Sequence, residues 1–194
     1  MAVEVVLSVE VRKKLTPDDV HRMLARSEID DKGWELIEGE LVEVPPSEPA
    51  DSETGLDVAA ELRRFAKQAG GRAFGADAGF LVGSDRHQLR APDASYVSAG
   101  RASILESKPW AYGAPDLAVE VLSEGQYGPA YAHGKIREYF DAGAQLVWLV
   151  DRRRKEVRVY RANSDEYTIY RNDAVLTLEP IIGGFELKVS DIFR

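Results

Sequence analysis

Residues 115–123 have the sequence PDLAVEVLS and predict the central strand of a sheet. Its apolar run over 117–122 is nearly continuous, which is typical of a strand covered on both faces of a sheet. Glu120 interrupts the run and, because side chains alternate along a strand, it lies on the face shared by Ala118 and Leu122. A buried ionised carboxylate is costly unless it is paired or binds a metal. Glu120 is therefore a candidate site residue, and the alternative is an edge-strand glutamate that faces solvent.

A second candidate carboxylate, Asp93, opens a strand predicted over 93–98. If that strand lies beside the strand of Glu120, the two carboxylates point into one pocket and can bind a divalent cation together. The alternative for Asp93 is an ordinary turn residue after a proline. Asp116 is a weaker partner, because at about 3.3 Å per residue it lies about 13 Å from Glu120 along the same strand.

A lysine follows on the next predicted helix, over about 130–142. The buried stripe of that helix includes Ile136 and Tyr139. Lys135 lies about 100° around the helix from Ile136, so it borders the stripe and can reach over the sheet toward Glu120. The alternative is a solvated surface lysine.

The remaining patterns predict a mixed sheet with helices. The further predicted elements are a helix from Pro17 to about Ser27 capped by Thr16, a hairpin over 34–44, a helix over about 53–69, a strand over 72–82, a buried strand over 146–151 and an exposed hairpin over 155–171. This order predicts an α/β (mixed α+β) fold with a central mixed sheet flanked by helices and extra β-hairpins near the C-terminus. We expect one domain over 15–194, preceded by an N-terminal arm over 1–14.

The composition narrows the function classes. The 194 residues include 33 acidic and 25 basic side chains, for a net charge of −8, and no cysteine. A disulfide scaffold, a thiolate metal site and a cysteine nucleophile are excluded, and His21, His87 and His133 lack paired metal spacing. The acidic balance argues against indiscriminate coating of nucleic acid. No signal peptide is recognised and no run approaches the ~18 apolar residues of a membrane span, so we expect a cytoplasmic protein without membrane contact.

These segments together resemble the PD-(D/E)XK nuclease superfamily, and more closely its Uma-two (Uma2) family of restriction-endonuclease-like proteins. The segments that carry the resemblance are WELIEGELV at 34–42, APDASYV at 91–97, PDLAVEVLS at 115–123, KIREYFDAGAQLVWLVD at 135–151 and GGFELKVSDIF at 183–193. The resemblance covers about residues 15–194. It implies a restriction-endonuclease-like fold and metal-dependent hydrolysis of DNA phosphodiester bonds.

The resemblance also implies a set of site residues. Asp93 and Glu120 would hold Mg²⁺ or Mn²⁺, and Lys135 would match the family's lysine, which is displaced from the strand to the following helix. One glutamate of the early hairpin, Glu35 or Glu40, would complete the catalytic set. These two differ by five positions, so we do not expect both on one side of one regular strand. Magnesium suits an oxygen-rich site better than zinc does.

Two departures from the family pattern argue for a different function. The family usually has a histidine shortly after the proline-rich loop, where this chain has EPADS at 48–52. The family also usually has Ser-Pro after the glutamate strand and an aspartate shortly before the lysine. Here the strand is followed by Ser123-Glu124-Gly125, and Tyr131 precedes the lysine. The alternative function is a catalytically inactive, dimeric nuclease-fold module that binds or regulates.

Two surface features are also candidates for binding. The late hairpins carry apolar and aromatic residues that predict a homodimer covering one sheet face. These residues are Val157, Val159, Tyr160, Tyr167 and Tyr170. The densest basic cluster, RRRK at 152–155, is either a solvated hairpin turn or a phosphate contact beside the site.

Overall fold

The protein is described here from a computed structural model that covers residues 14–30, 33–123, 129–164 and 166–193. The predicted arm over 1–14 lies, apart from its last residue, outside the described residues. The helices are α1 (Pro17–Ala25), α2 (Pro49–Ala69), α3 (Pro129–Asp141) and α4 (Val189–Ile192), with a 3₁₀ helix at Ala99–Glu106. The strands are β1 (Trp34–Ile37), β2 (Glu40–Glu43), β3 (Arg72–Gly75), β4 (Phe80–Val82), β5 (Gln88–Arg90), β6 (Ala94–Val97), β7 (Ala111–Tyr112), β8 (Leu117–Val121), β9 (Leu146–Asp151), β10 (Glu156–Arg161), β11 (Tyr167–Arg171), β12 (Val175–Leu176) and β13 (Leu187–Lys188).

A six-stranded mixed sheet forms the centre of the fold, with strand order β11-β10-β9-β8-β6-β3. β8 runs parallel to β9 and antiparallel to β6. All five residues of β8 are buried. The predicted central strand over 117–122 is therefore confirmed, because apolar side chains on both of its faces need cover on both sides.

Each face of β8 packs against a different helix. Val119 belongs to the same core cluster as Leu62 of α2. Ala118, on the opposite face, belongs to a second cluster with Ile136 and Tyr139 of α3. Because Glu120 shares its face with Ala118, it lies on the α3 side of the sheet.

A second, five-stranded sheet has the order β2-β1-β5-β4-β7. The prediction of one strand over 72–82 is wrong: β3 pairs with β6 in the six-stranded sheet, whereas β4 pairs with β5 in the five-stranded sheet. A turn at 76–77 separates them. Apolar residues continue across that turn, so local periodicity does not reveal the change of sheet. The short strand β5 also escaped prediction.

The predicted exposed hairpin is β10 and β11, and the basic cluster at 152–155 forms the turn that precedes it. Val157 and Val159 are buried in the core of this chain, at 0% and 3% exposure. They cannot supply a surface for a partner, so this part of the reasoning behind the homodimer is wrong. Tyr167 is exposed, and Tyr160 and Tyr170 are half-buried.

The predicted helices form with shifted ends. Thr16 caps α1 as expected: the backbone N–H of Asp19 donates to Thr16 Oγ1 at 3.2 Å, and the backbone N–H of Thr16 donates to the Asp19 carboxylate at 3.0 Å. α1 ends at Ala25, α2 begins at Pro49, four residues before the predicted start, and α3 is offset by one residue. None of the described helices combines the length and apolar character needed to cross a membrane.

Candidate active site

Glu120 of β8 is held by two side chains of α3. The Lys135 ammonium donates to Glu120 Oε2 at 2.8 Å, and the Tyr139 hydroxyl donates to Oε1 at 2.6 Å. Lys135 and Tyr139 are four residues apart, so both lie on one face of the helix. Glu120 is 7% exposed and Lys135 is 5% exposed. The buried charge of Glu120 is thus paired and hydrogen-bonded, as its position in an apolar strand requires.

Glu35, and not Glu40, joins this pair. The Lys135 ammonium lies 3.2 Å from Glu35 Oε1, and Glu35 is buried. Glu40 pairs with Ile37 at the turn end of the hairpin and is exposed. The two glutamates do not lie on one regular strand: a turn lies between them, and the hairpin register puts both on one face. Distance from the turn, rather than side-chain alternation, separates them.

Asp93 lies beside Glu120, as the pairing of their strands requires. β6 and β8 are antiparallel with Ala94 opposite Val119, so continuing that register places Asp93 opposite Glu120. The backbone N–H of Val121 donates to Asp93 Oδ2 at 2.7 Å. Among the described residues, this is the one hydrogen bond that the Asp93 carboxylate accepts.

The site residues surround one small cavity of about 50 Å³. Its lining includes Glu35, Asp51, Asp93, Glu120, Ser123 and Lys135. Acidic side chains therefore outnumber the single ammonium around this space, and a cation entering it would be attracted.

The crowding of carboxylates shifts their pKa values. Burial raises the pKa of Glu120 to about 7, and repulsion from Asp93 and Glu35 adds to this, whereas Lys135 opposes it. Burial also raises the pKa of Asp93, against the hydrogen bond from Val121. Burial acts on Glu35 in the same direction, but Lys135 and Arg90 outweigh it and hold the pKa of Glu35 below its usual value.

Sequence reasoning missed Arg90, which extends the site into a chain of alternating charges. Arg90 lies on β5, is 2% exposed and donates to Glu35 Oε2 at 2.6 Å. It also forms a bidentate pair with Glu138 of α3 at 2.7 and 2.9 Å. Charges therefore alternate from Glu138 through Arg90, Glu35 and Lys135 to Glu120, tying the five-stranded sheet to α3. The one signal of this network in the sequence is that Glu138 lies three residues after Lys135, which places both on the same side of the helix.

Asp51, also missed, occupies the first turn of α2, in the segment where the resemblance implies a histidine. Ser123 Oγ donates to Asp51 Oδ2 at 2.8 Å, and Arg152 donates to Oδ1 at 3.0 Å. Arg152 belongs to the basic cluster at 152–155. The cluster is therefore a hairpin turn that also reaches the edge of the site through one of its arginines.

The acids of the cavity do not form a closed metal cage. Across the described ranges, no three Asp, Glu, His or Cys side chains converge closely enough to hold an ion. The described histidines lie elsewhere: His21 packs near Trp110, His87 lies beside Asp85, and His133 is near Tyr160. Asp93 and Glu120 remain the pair that the predicted metal site requires.

Comparison with known proteins identifies a family. The family profile of Uma2, described as "Putative restriction endonuclease", matches residues 17–190. The chain belongs to the Uma2 family. This membership confirms the resemblance seen in the sequence and supports a nuclease-like role.

A solved structure has the same fold as this chain. The crystal structure of "a putative nuclease belonging to DUF820 from Anabaena variabilis ATCC 29413" superposes with a TM-score of 0.74 at 22% identity, over 92% of this chain and 97% of that one. At this identity the likeness establishes the fold, and the predicted mixed sheet flanked by helices is confirmed. Comparison with curated proteins found no match.

Proposed function

We propose that this chain is a metal-dependent endonuclease that hydrolyses DNA phosphodiester bonds. The observation that carries the proposal is the convergence of Glu35, Asp93, Glu120 and Lys135 around one cavity. These residues come from β1, the start of β6, β8 and α3. A network of structural ion pairs alone does not explain the position of Asp93 at this cavity, because its carboxylate accepts just one hydrogen bond from the described residues.

The donor set fits Mg²⁺ or Mn²⁺. Asp93 and Glu120 offer carboxylate oxygens, the ligands that these hard cations prefer, and the chain has no cysteine. Magnesium usually keeps several waters and binds through one or two carboxylates plus substrate phosphates, so two acids are enough. Burial raises the pKa of each carboxyl and repulsion from neighbouring acids adds to it, and a bound cation relieves that repulsion. When bound, the cation supplies Lewis-acid polarisation of the scissile phosphate and acidifies water.

The protein side chains have distinct tasks in this proposal. The backbone N–H of Val121 fixes Asp93, leaving its second oxygen for the cation. Glu35, held by Arg90, orients the Lys135 ammonium. Lys135 then positions the attacking water and offsets the negative charge that develops on the phosphate.

Plasmid cleavage tests this proposal. A supercoiled plasmid or a single-stranded DNA circle should be nicked or linearised by the wild type with Mg²⁺ or Mn²⁺, and Asp93→Asn should lower the rate by about 100-fold or more. Asparagine keeps the acceptor for Val121, so the fold is preserved. Arg137→Ala, at an exposed position of α3, is the matched control and should retain most activity. An intact plasmid together with an intact single-stranded circle, after prolonged incubation with excess wild-type protein and either cation, contradicts the proposal.

A second candidate function is a nuclease-fold module that binds without cleaving. The observation that favours it is that both carboxylate oxygens of Glu120 already accept hydrogen bonds. Oε2 accepts from Lys135 and Oε1 accepts from Tyr139. A cation that binds Glu120 competes with these two donors for the carboxylate oxygens. DNA binding by the wild type without cleavage would support this function over the first.

A further inference from the structure

One face of the six-stranded sheet continues beyond the cover of α3. The strand register aligns Glu120 with Leu149 of β9, and Leu149 with Arg158 of β10. Cross-strand partners point to the same face, so Arg158 lies on the face of Glu120, two strands away. In the neighbouring row, Tyr160 is opposite Tyr167 of β11. The site and the hairpin thus share one continuous sheet face.

A groove lies on this face between α3 and the hairpin. It is a cavity of about 380 Å³ whose lining includes His133, Tyr160 and Tyr167. Its volume is that of a small-molecule binding site. Leu122 and Leu149 line both this groove and the space that contacts Glu120 and Lys135. The groove therefore shares a wall with the small space beside Glu120 and Lys135 and lies next to the candidate active site.

Three of the residues that line the groove carry aromatic rings. The rings of Tyr160 and Tyr167 lie 4.9 Å apart at an angle of 37°, and the His133 ring is 6.5 Å from that of Tyr160. Tyr167 is 43% exposed although it is a large aromatic side chain. Exposed aromatic rings beside a polar rim are the platforms on which unpaired bases stack.

The charges of the groove favour a single strand over a duplex. Asp151 and Glu156 both accept hydrogen bonds from Arg158, so its charge is largely balanced. Arg154 lies at the rim with 66% of its side chain exposed and can contact a phosphate. Duplex binding depends mainly on neutralising many phosphates, and the arginines and lysines among the described residues that line this groove are Arg154 and Arg158 alone. In a duplex the base faces are also hidden from Tyr160 and Tyr167.

We propose that this groove binds unpaired nucleotides of a single-stranded DNA segment, with a base stacked on Tyr167 and Tyr160 and a phosphate near Arg154. A strand bound there lies next to the candidate active site, on the sheet face that carries Glu120. This inference rests on the proposed nuclease function, because it assigns the substrate's strand state.

Binding without metal tests the inference separately from cleavage. Fluorescence anisotropy in EDTA compares a labelled mixed-sequence single strand with the blunt duplex of the same sequence. The wild type should prefer the single strand, and Tyr167→Ala should weaken that binding by about 10-fold. Tyr167→Phe should restore it, because the ring remains. Tyr112→Ala, at another exposed tyrosine on β7, is the matched control and should bind like the wild type.

Several results would overturn the inference: no single-strand binding by the wild type, a preference for duplex, or equal losses in Tyr167→Ala and Tyr112→Ala. Light scattering is run on the same samples. If Tyr167→Ala turns a dimer into a monomer, the groove is an interface between copies and not a DNA site. If single-strand binding depends on Tyr167 but the wild type cleaves no DNA with metal, the nuclease proposal fails and the groove assignment stands.

Discussion

Replacing Lys135 with Met removes the one ammonium that separates two buried carboxylates. In the wild type, Lys135 lies 2.8 Å from Glu120 and 3.2 Å from Glu35. Methionine fills much of the space of the lysine stem but carries no charge. Removing one partner of a buried ion pair costs about 3–5 kcal/mol, because the other charge stays buried without compensation. We expect this loss in the free energy of unfolding above neutral pH.

The loss of unfolding free energy in Lys135→Met grows as pH rises. The pKa of Glu120 is about 7 in the folded state against an ordinary value of 4.5. Because the folded-state pKa is the higher one, the folded state binds the proton more tightly, and stability falls by about 3 kcal/mol as pH rises through this window. Without Lys135 the pKa of Glu120 rises further. The variant should therefore lose less at about pH 5, where Glu120 is protonated and mainly the Lys135–Glu35 pair is missing, and differ most from the wild type above about pH 8.

Urea unfolding followed by circular dichroism measures this effect at both pH values. In thermal melts, 3–5 kcal/mol corresponds to a decrease in Tm of about 6–20 °C for a chain of this size. Adding Glu120→Gln to the variant should restore most of the stability, since glutamine still accepts a hydrogen bond from Tyr139 without a buried charge. The exposed control Arg137→Met should stay within about 0.5 kcal/mol of the wild type. A Lys135→Met protein within about 1 kcal/mol of the wild type above pH 8 would refute the reasoning.

Further predictions concern the hairpin glutamates, the buried arginine and the assembly. Glu35→Gln should slow plasmid cleavage while Glu40→Gln matches the wild type, because only Glu35 contacts Lys135; a loss confined to Glu40→Gln contradicts the site assignment. Arg90→Met should lower the free energy of unfolding by about 3–5 kcal/mol in urea titrations, because Glu35 and Glu138 both lose their arginine partner. A change under about 1 kcal/mol argues against that network. Light scattering at micromolar concentration should give a dimer mass, and a monomer mass across that range refutes the homodimer.

The elements predicted correctly are those whose surroundings follow from their own sequence. β8 carries apolar residues at nearly every position, so its central place follows from its own composition. Glu120 stands out because it breaks that run. Lys135 could be placed near it because helical spacing fixes its angle to Ile136.

The features that were missed depend on pairing between distant segments. β5 has three residues, too few for a period to show, so Arg90 was not recognised. The split between β3 and β4 is set by their partner strands, and the apolar pattern runs through it. Asp51 resembles an ordinary acid in the first turn of a helix, and its contacts with Ser123 and Arg152 arise from residues 72 and 101 positions away.

The most direct test of the central claim is to locate a cation in the protein. A crystal grown with Mn²⁺ and measured for anomalous scattering would show it. If Asp93 and Glu120 bind the cation together, a peak lies about 2–2.5 Å from carboxylate oxygens of both residues. The Lys135 ammonium should then have moved away from Glu120 Oε2. A cavity without a peak, with Glu120 still hydrogen-bonded to Lys135 and Tyr139 at saturating Mn²⁺, would contradict it.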